Sequence, residues 1–230
     1  MNLKKMSQLI VLIVFFISGC GSSNTSTAVN PGGGAPTNTT IDFNLFPPNF
    51  FNGYNVATSL VGTDNIGLTY TGSISEKTLT PSVFLSKSSI PLETKIEFRA
   101  SNGGFADALI NTHYSSDPNN RELLGVDGDI VTVSANTTVI PETAKIGDSG
   151  MIGTYVDSRG FETSLSWRLD DGQNGNAKLV LLNNTNDQLG TLDNTVSTSY
   201  LIQPNGNRIS IELITFNINV NIEVTLNGTF

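Results

Sequence analysis

The chemistry this chain could perform begins with one serine and one histidine. Ser149 stands in Gly147-Asp148-Ser149-Gly150 and is the candidate nucleophile. Such a serine needs a general base within hydrogen-bond reach, ~3 Å. The only histidine is His113, in Ala108-Leu109-Ile110-Asn111-Thr112-His113-Tyr114. There Ala108, Ile110 and Tyr114 share one face and His113 takes the other, with no carboxylate paired to it in sequence. His113 is therefore expected at the surface, and hydrolysis through Ser149 is a minor alternative. A pair of carboxylates for glycoside hydrolysis needs no local motif. However, the single tryptophan, Trp167, reads as core, so no aromatic platform for sugar is evident.

Oxygen ligands cluster in Asp170-Asp171-Gly172-Gln173-Asn174-Gly175-Asn176, with a smaller version in Asp127-Gly128-Asp129. Calcium prefers such donors, and Asp170, Asp171 and Asn174 are its candidate ligands. The spacing does not match an EF-hand, and Asp, Asn and Gly are also what a hairpin turn requires, so a turn is the favoured reading. There is no His/Cys cluster for zinc, no glycine-rich phosphate loop ahead of a helix, and no cofactor is expected. Phe43, Phe46, Phe50 and Phe51 surround Pro47-Pro48. They could form an exposed apolar patch that binds a lipid, a polymer or a partner. The favoured reading is a strap whose rings plug the core, because aromatic side chains are more often buried.

The elements that must position these residues are strands. Ile96, Phe98 and Ala100 alternate with Lys95, Glu97 and Arg99; Leu165, Trp167 and Leu169 alternate with Ser164, Ser166 and Arg168. The longest alternation runs from Ile214 through Leu226. Period two with one apolar and one polar face is the pattern of half-buried strands. Asn102-Gly103, Asp127-Gly128, Asp171-Gly172, Asn174-Gly175 and Asn205-Gly206 tolerate the positive φ of tight hairpins, so the strands should be antiparallel neighbours. We expect an all-β fold of roughly ten to thirteen strands, an antiparallel sandwich or a barrel-like body. A membrane barrel is disfavoured, since many segments are polar on both faces or too short.

An offset of 86 lays Ile110, Thr112, Tyr114, Pro118 and Asn119 onto Val196, Thr198, Tyr200, Pro204 and Asn205; an offset of 85 lays Gly62, Thr69 and Tyr70 onto Gly147, Thr154 and Tyr155. These matches suggest a duplicated β-unit, about 54–133 and 146–230. The expected organisation is a removed segment 1–19, a lipidated Cys and flexible tether 20–40, a first β-unit 41–140 with the aromatic strap, and a second β-unit 141–230.

The amino end carries the address. Lys4 and Lys5 precede an apolar run from Leu9 to Ile17, too short for the ~20 residues of a spanning helix and of the length of a secretory signal. Ile17-Ser18-Gly19-Cys20 resembles the lipobox of bacterial prolipoproteins. The resemblance implies that Cys20 becomes the first mature residue and carries acyl chains, and two or more such chains hold a protein stably on a bilayer. In Gram-negative members of that class an Asp after the Cys tends to retain the protein at the inner membrane. Gly21 here favours the outer membrane. Residues 21–40 are rich in Ser, Thr, Asn, Gly and Pro without a charge, which predicts a flexible tether with a reach of roughly 25 Å. Gly147 to Gly150 is also similar to the nucleophile motif of chymotrypsin-like serine proteases, but the similarity ends at Met151, where that family continues with Gly.

Cys20 is the only cysteine, so no intrachain disulfide can form. Removing Lys4 and Lys5 and no acid moves the formal charge from −8 to −10. An acidic chain argues against nucleic acid or anionic phospholipid as a partner, because both are bound through clustered Lys and Arg. The expectation is a non-enzymatic, lipid-anchored envelope protein whose β-body binds or scaffolds protein or glycan. The alternatives are a carrier of an apolar ligand and a hydrolase.

Overall fold

A computed structural model of the chain describes residues 41–230. Segment 1–19, Cys20 and the tether through residue 40 lie outside the described residues. Fifteen strands follow in order: β1 (Phe43–Asn44), β2 (Asn55–Asp64), β3 (Thr69–Thr78), β4 (Ser82–Phe84), β5 (Lys87–Ala100), β6 (Phe105–Ser115), β7 (Leu123–Asp127), β8 (Thr132–Thr137), β9 (Thr143–Ala144), β10 (Ser149–Asp157), β11 (Glu162–Asp171), β12 (Ala177–Asn186), β13 (Leu192–Ile202), β14 (Arg208–Asn217) and β15 (Ile222–Thr229). Twelve close into an antiparallel barrel, and β1 and β9 form a separate two-stranded ribbon. The all-β, barrel-like expectation holds.

The barrel is two six-stranded meanders laid edge to edge. β2, β3, β5, β6, β7 and β8 make the first and β10 through β15 the second, with seams at β8–β10 and β15–β2. The 86-residue offset lays β6 on β13, the fourth strand of each meander. It matches the inward-facing Ile110, Thr112 and Tyr114 with Val196, Thr198 and Tyr200, all buried. The 85-residue offset lays the second strand of one meander on the first strand of the other, so the two matches do not describe the same equivalence.

A glycine sits at each seam. A Cβ at Gly62 of β2 would lie 1.8 Å from the carbonyl oxygen of Thr225 on β15, and one at Gly153 of β10 would lie 2.3 Å from that of Asn136 on β8. At both places the neighbouring backbone occupies the space a side chain would need, as at a barrel corner. Between the corners the walls face each other across one apolar core. Leu60, Ile74, Ile96, Ile110, Leu123, Tyr155, Leu169 and Tyr200 are almost wholly buried there. The outer wall carries Ser, Thr and Asn with the ion pairs Lys95–Glu97, Arg168–Asp170 and Lys178–Glu212. A Lys at mid-strand costs ~2–4 kcal/mol when it faces hydrocarbon, and Lys95 holds such a position on β5.

One expected strand is two. The alternation from Ile214 to Leu226 runs through a hairpin tip at residues 218–221, where Asn221 adopts φ 50°. Ile214 and Phe216 face outward and are half-buried, while Ile222, Val224 and Leu226 face the core. A four-residue tip preserves the apolar count yet exchanges the faces, which the pattern alone cannot reveal.

Gly62→Val should destabilise the barrel by about 3 kcal/mol, the upper range for overpacking, because the obstacle is backbone. Urea unfolding reads this as a lower midpoint at unchanged slope. Ser59→Val, which points outward from the same strand, should shift stability by no more than about 0.5 kcal/mol. Equal effects from the two would show that the seam tolerates a side chain.

Candidate functional site

The aromatic strap is a plug. Its backbone is tied to the barrel end by Asn44 N donating to Pro204 O at 3.0 Å and Leu45 N to Glu142 O at 2.9 Å. Pro47 O accepts from Phe50 N at 3.1 Å, and Asn49 takes φ 62°. This tight turn brings three rings together, with centroids 5.3 Å apart for Phe46–Phe50, 4.8 Å for Phe46–Phe51 and 5.1 Å for Phe50–Phe51. All three pack on Tyr114 of β6. Phe43 and Phe50 are buried, and Phe46 and Phe51 pack half-buried against the core. The four phenylalanines therefore line the inside of the plug and do not form an open patch.

Beneath the plug lies a charge cluster the sequence reading missed. Arg208 of β14 donates through Nη1 to Glu76 Oε2 of β3, and both side chains are buried. Tyr200 OH of β13 donates to Glu76 Oε1 at 2.9 Å. The Arg208 guanidinium lies 3.8 Å from the Tyr200 ring centroid and 5.6 Å from those of Phe50 and Tyr54. Burial alone would lower Arg208, but the charge of Glu76, with Tyr200 and Tyr54, holds it above its ordinary value. Burial pushes Tyr54 up to about 12, against the lowering pull of Arg208, and raises Tyr200 well above 10. The available signal was an acid at an inward register position, Glu76, two residues after Ile74.

His113 does not behave as a surface residue. It faces outward from β6 as expected, but β4 folds back over it: Phe84 stacks on the imidazole with centroids 4.1 Å apart and an interplanar angle of 13°. Gly125 makes room, since a Cβ there would lie 2.7 Å from the Phe84 ring. His113 Nδ1 is 3.1 Å from Ser89 Oγ, and Nε2 is 2.9 Å from Asp127 Oδ2. Asn111 Nδ2 donates to Asp127 Oδ1 at 2.8 Å.

The order Ser–His–Asp matches a triad, but its orientation is unsuited to catalysis. Ser89 is fully buried within the β4–β5–β6 ladder, whereas the Asp127 side chain is 38% exposed. A nucleophile must meet substrate, and here the carboxylate end faces water. The chain pins the β4 arm to the wall. Both ring nitrogens of His113 are engaged, so it is not available to Ser149, which is exposed at the start of β10 opposite Arg168. Asp148 Oδ2 accepts from Lys145 N at 2.7 Å, closing the turn over residues 145–148 that leads into β10.

The acidic candidates also serve turn geometry. Asp170 pairs with Arg168 Nε at 2.8 Å on the outer wall. Asp171, one residue on, faces the other way and accepts from Gln173 N at 2.8 Å. Gln173, Asn174 and Gly175 adopt φ 64°, 52° and 80°. Among the described residues no three His, Cys, Asp or Glu side chains converge on a point that could hold a metal ion.

Outside the barrel is a groove of about 770 Å³ formed by β2, β15, β14 and β13 with the β11–β12 turn. Lys178 and Glu212 pair across its floor at 2.8 Å, and Gln173, Ser199, Ser210 and Asn227 offer hydrogen bonds beside exposed Val61. No protein-family model matches the chain, and no curated protein matches it.

Arg208→Met should cost about 3–5 kcal/mol, because it leaves Glu76 buried without its partner. Glu76→Leu combined with Arg208→Met should cost clearly less than either change alone in a denaturant double-mutant cycle. Additive losses would contradict a coupled pair.

Four of the five tyrosines, Tyr54, Tyr70, Tyr155 and Tyr200, are raised by burial. The unfolded chain releases those protons near pH 10 and the folded chain only higher, so stability present below about 10 is lost as pH rises through about 12. Tyrosinate absorbance should therefore rise together with loss of the β signal in circular dichroism. Full ionisation near pH 10 in a folded protein would refute this.

Proposed function

We propose that this protein is a non-enzymatic, lipid-anchored module of the cell envelope, held by acylated Cys20 and binding or scaffolding protein or glycan on the outside of its barrel. The supporting observation is a filled, plugged barrel with a hydrogen-bond-rich groove on its outer wall. Binding surfaces for polar macromolecules combine such groups with scattered apolar contact, as Lys178, Glu212, Gln173, Asn227 and Val61 do here. A carrier needs a concave apolar site open to its ligand. The mouth at which such a site would open is occupied by Phe43, Phe46, Phe50 and Phe51, so the binding reading is preferred. Hydrolysis is set aside because the only imidazole sits under the β4 arm. The outer-membrane address, favoured by Gly21 in a Gram-negative host, belongs to the same proposal.

Replacing Cys20 with Ser should abolish palmitate labelling and move the protein from the detergent-dependent membrane fraction to the soluble one. The released protein should carry no stoichiometric lipid by native mass spectrometry. A Ser variant that still labels would remove the anchor, and a retained lipid would favour the carrier.

A further inference from the structure

The turns at the two ends of the barrel differ in composition. At the strap end, the hairpins at 172–176 and 203–207 carry only Gly, Gln, Asn and Pro, and the exposed apolar residues there, Val83, Leu85 and Val139, sit on the β4 arm and the loop after β8. At the opposite end four of the six tips expose a large aliphatic side chain, Ile66 at 61%, Val131 at 43%, Leu189 at 89%, and both Ile218 and Val220, while beside a fifth tip Phe105, the first residue of β6, lies 4.6 Å from the Arg99 guanidinium. The sixth holds half-buried Phe161 beneath the Arg159 guanidinium, 4.7 Å from its centroid. Neighbouring strands are about 4.8 Å apart, so tips joining strand pairs recur every ~10 Å around one rim. None of these side chains belongs to the buried core cluster or packs against it. Hairpin tips normally take polar residues, so a rim of aliphatic ones marks a contact surface.

We propose that this rim is the docking surface for a protein partner that presents apolar side chains among Lys and Arg. Charge selects the occupant. Asp129, Glu162 and Glu223 are exposed on or next to the tips, and Asp187 and Asp193 lie partly exposed beside them, against Arg99 and Arg159. An acidic rim repels an anionic bilayer, and interfacial membrane binders place Lys or Arg beside their apolar residues. A second copy docking rim to rim would set like charges face to face. A basic, apolar protein surface meets both features. The proposal deepens the binding-module reading and rests on it. With the described chain entering at the strap end, through β1, the rim faces away from the side that the tether would hold.

A photo-crosslinking residue placed at Leu189 and, separately, at Ile66 of the full-length protein in intact cells tests this, with Asn174 at the strap end as control. The expected result is a discrete protein adduct from both tips and none from Asn174. Glu162→Lys with Glu223→Lys should cut the yield at least about tenfold, equivalent to 1.4 kcal/mol of binding. Should that variant melt below the parent, sodium chloride at about 1 M replaces it, since it shortens the screening length to about 3 Å and should lower the yield likewise. No adduct, an adduct of two copies of this chain, a lipid adduct, equal yield at Asn174, or a yield indifferent to charge and salt would each overturn the proposal. Because the Cys20 experiment reads anchoring and this one reads the rim, the two can fail separately.

Discussion

The structure depends on how a closed sheet of twelve strands fills its own interior. Eight strands enclose about as much space as their inward side chains occupy, and twelve enclose more. With a single cysteine the chain has no intrachain disulfide to offset poor packing, so stability must come from burial. Two devices supply it. Glycine at each seam lets the backbones of adjoining strands approach, drawing the two meanders together as facing walls. The strap then closes the end those walls leave open, inserting Phe43 and Phe50 and resting Phe46 and Phe51 on Tyr114.

That solution leaves the exterior as the place for the proposed binding. Every barrel strand has a neighbour on each side. The core and plug occupy the interior. What remains to differ from a generic water-facing wall is the groove, the pinned β4 arm and the apolar rim. The Ser89–His113–Asp127 chain fits this division: groups that could form a triad elsewhere are used here to hold an arm over Gly125, with the hydroxyl sealed in.

The parts of the fold legible in the sequence were those set by neighbours. Alternation in Ile96–Ala100 and Leu165–Leu169 put the right faces inward, and Asn102-Gly103, Asn174-Gly175 and Asn205-Gly206 form tight turns with glycine at positive φ. Asp171 fits the turn reading for the same local reason. The features that were not legible depend on contacts far apart in the chain. Tyr200 and Arg208 meet Glu76 across 124 and 132 residues, and no local pattern encodes that meeting. The alternation around His113 correctly gave an outward face but could not show that β4 would return to cover it. The run after Ile214 hid a reversal, because a four-residue tip exchanges faces without breaking the apolar rhythm.

The buried ion pair is best understood through register. Exchanging such a pair for apolar residues of similar volume is often neutral or stabilising, so net stability does not explain why Glu76 and Arg208 lie under the plug. Their arrangement penalises misclosure. Glu76 belongs to the first meander, and Arg208 and Tyr200 to the second, with the β15–β2 seam between them. A one-residue slip at that seam would turn one partner outward and leave the other buried and unpaired, costing several kcal/mol. That cost adds to the loss from turning an apolar face such as Leu60, or Val224 and Leu226, toward water. The charge pair therefore reinforces the register set by the apolar faces, at the seam where the two halves of the chain must find each other.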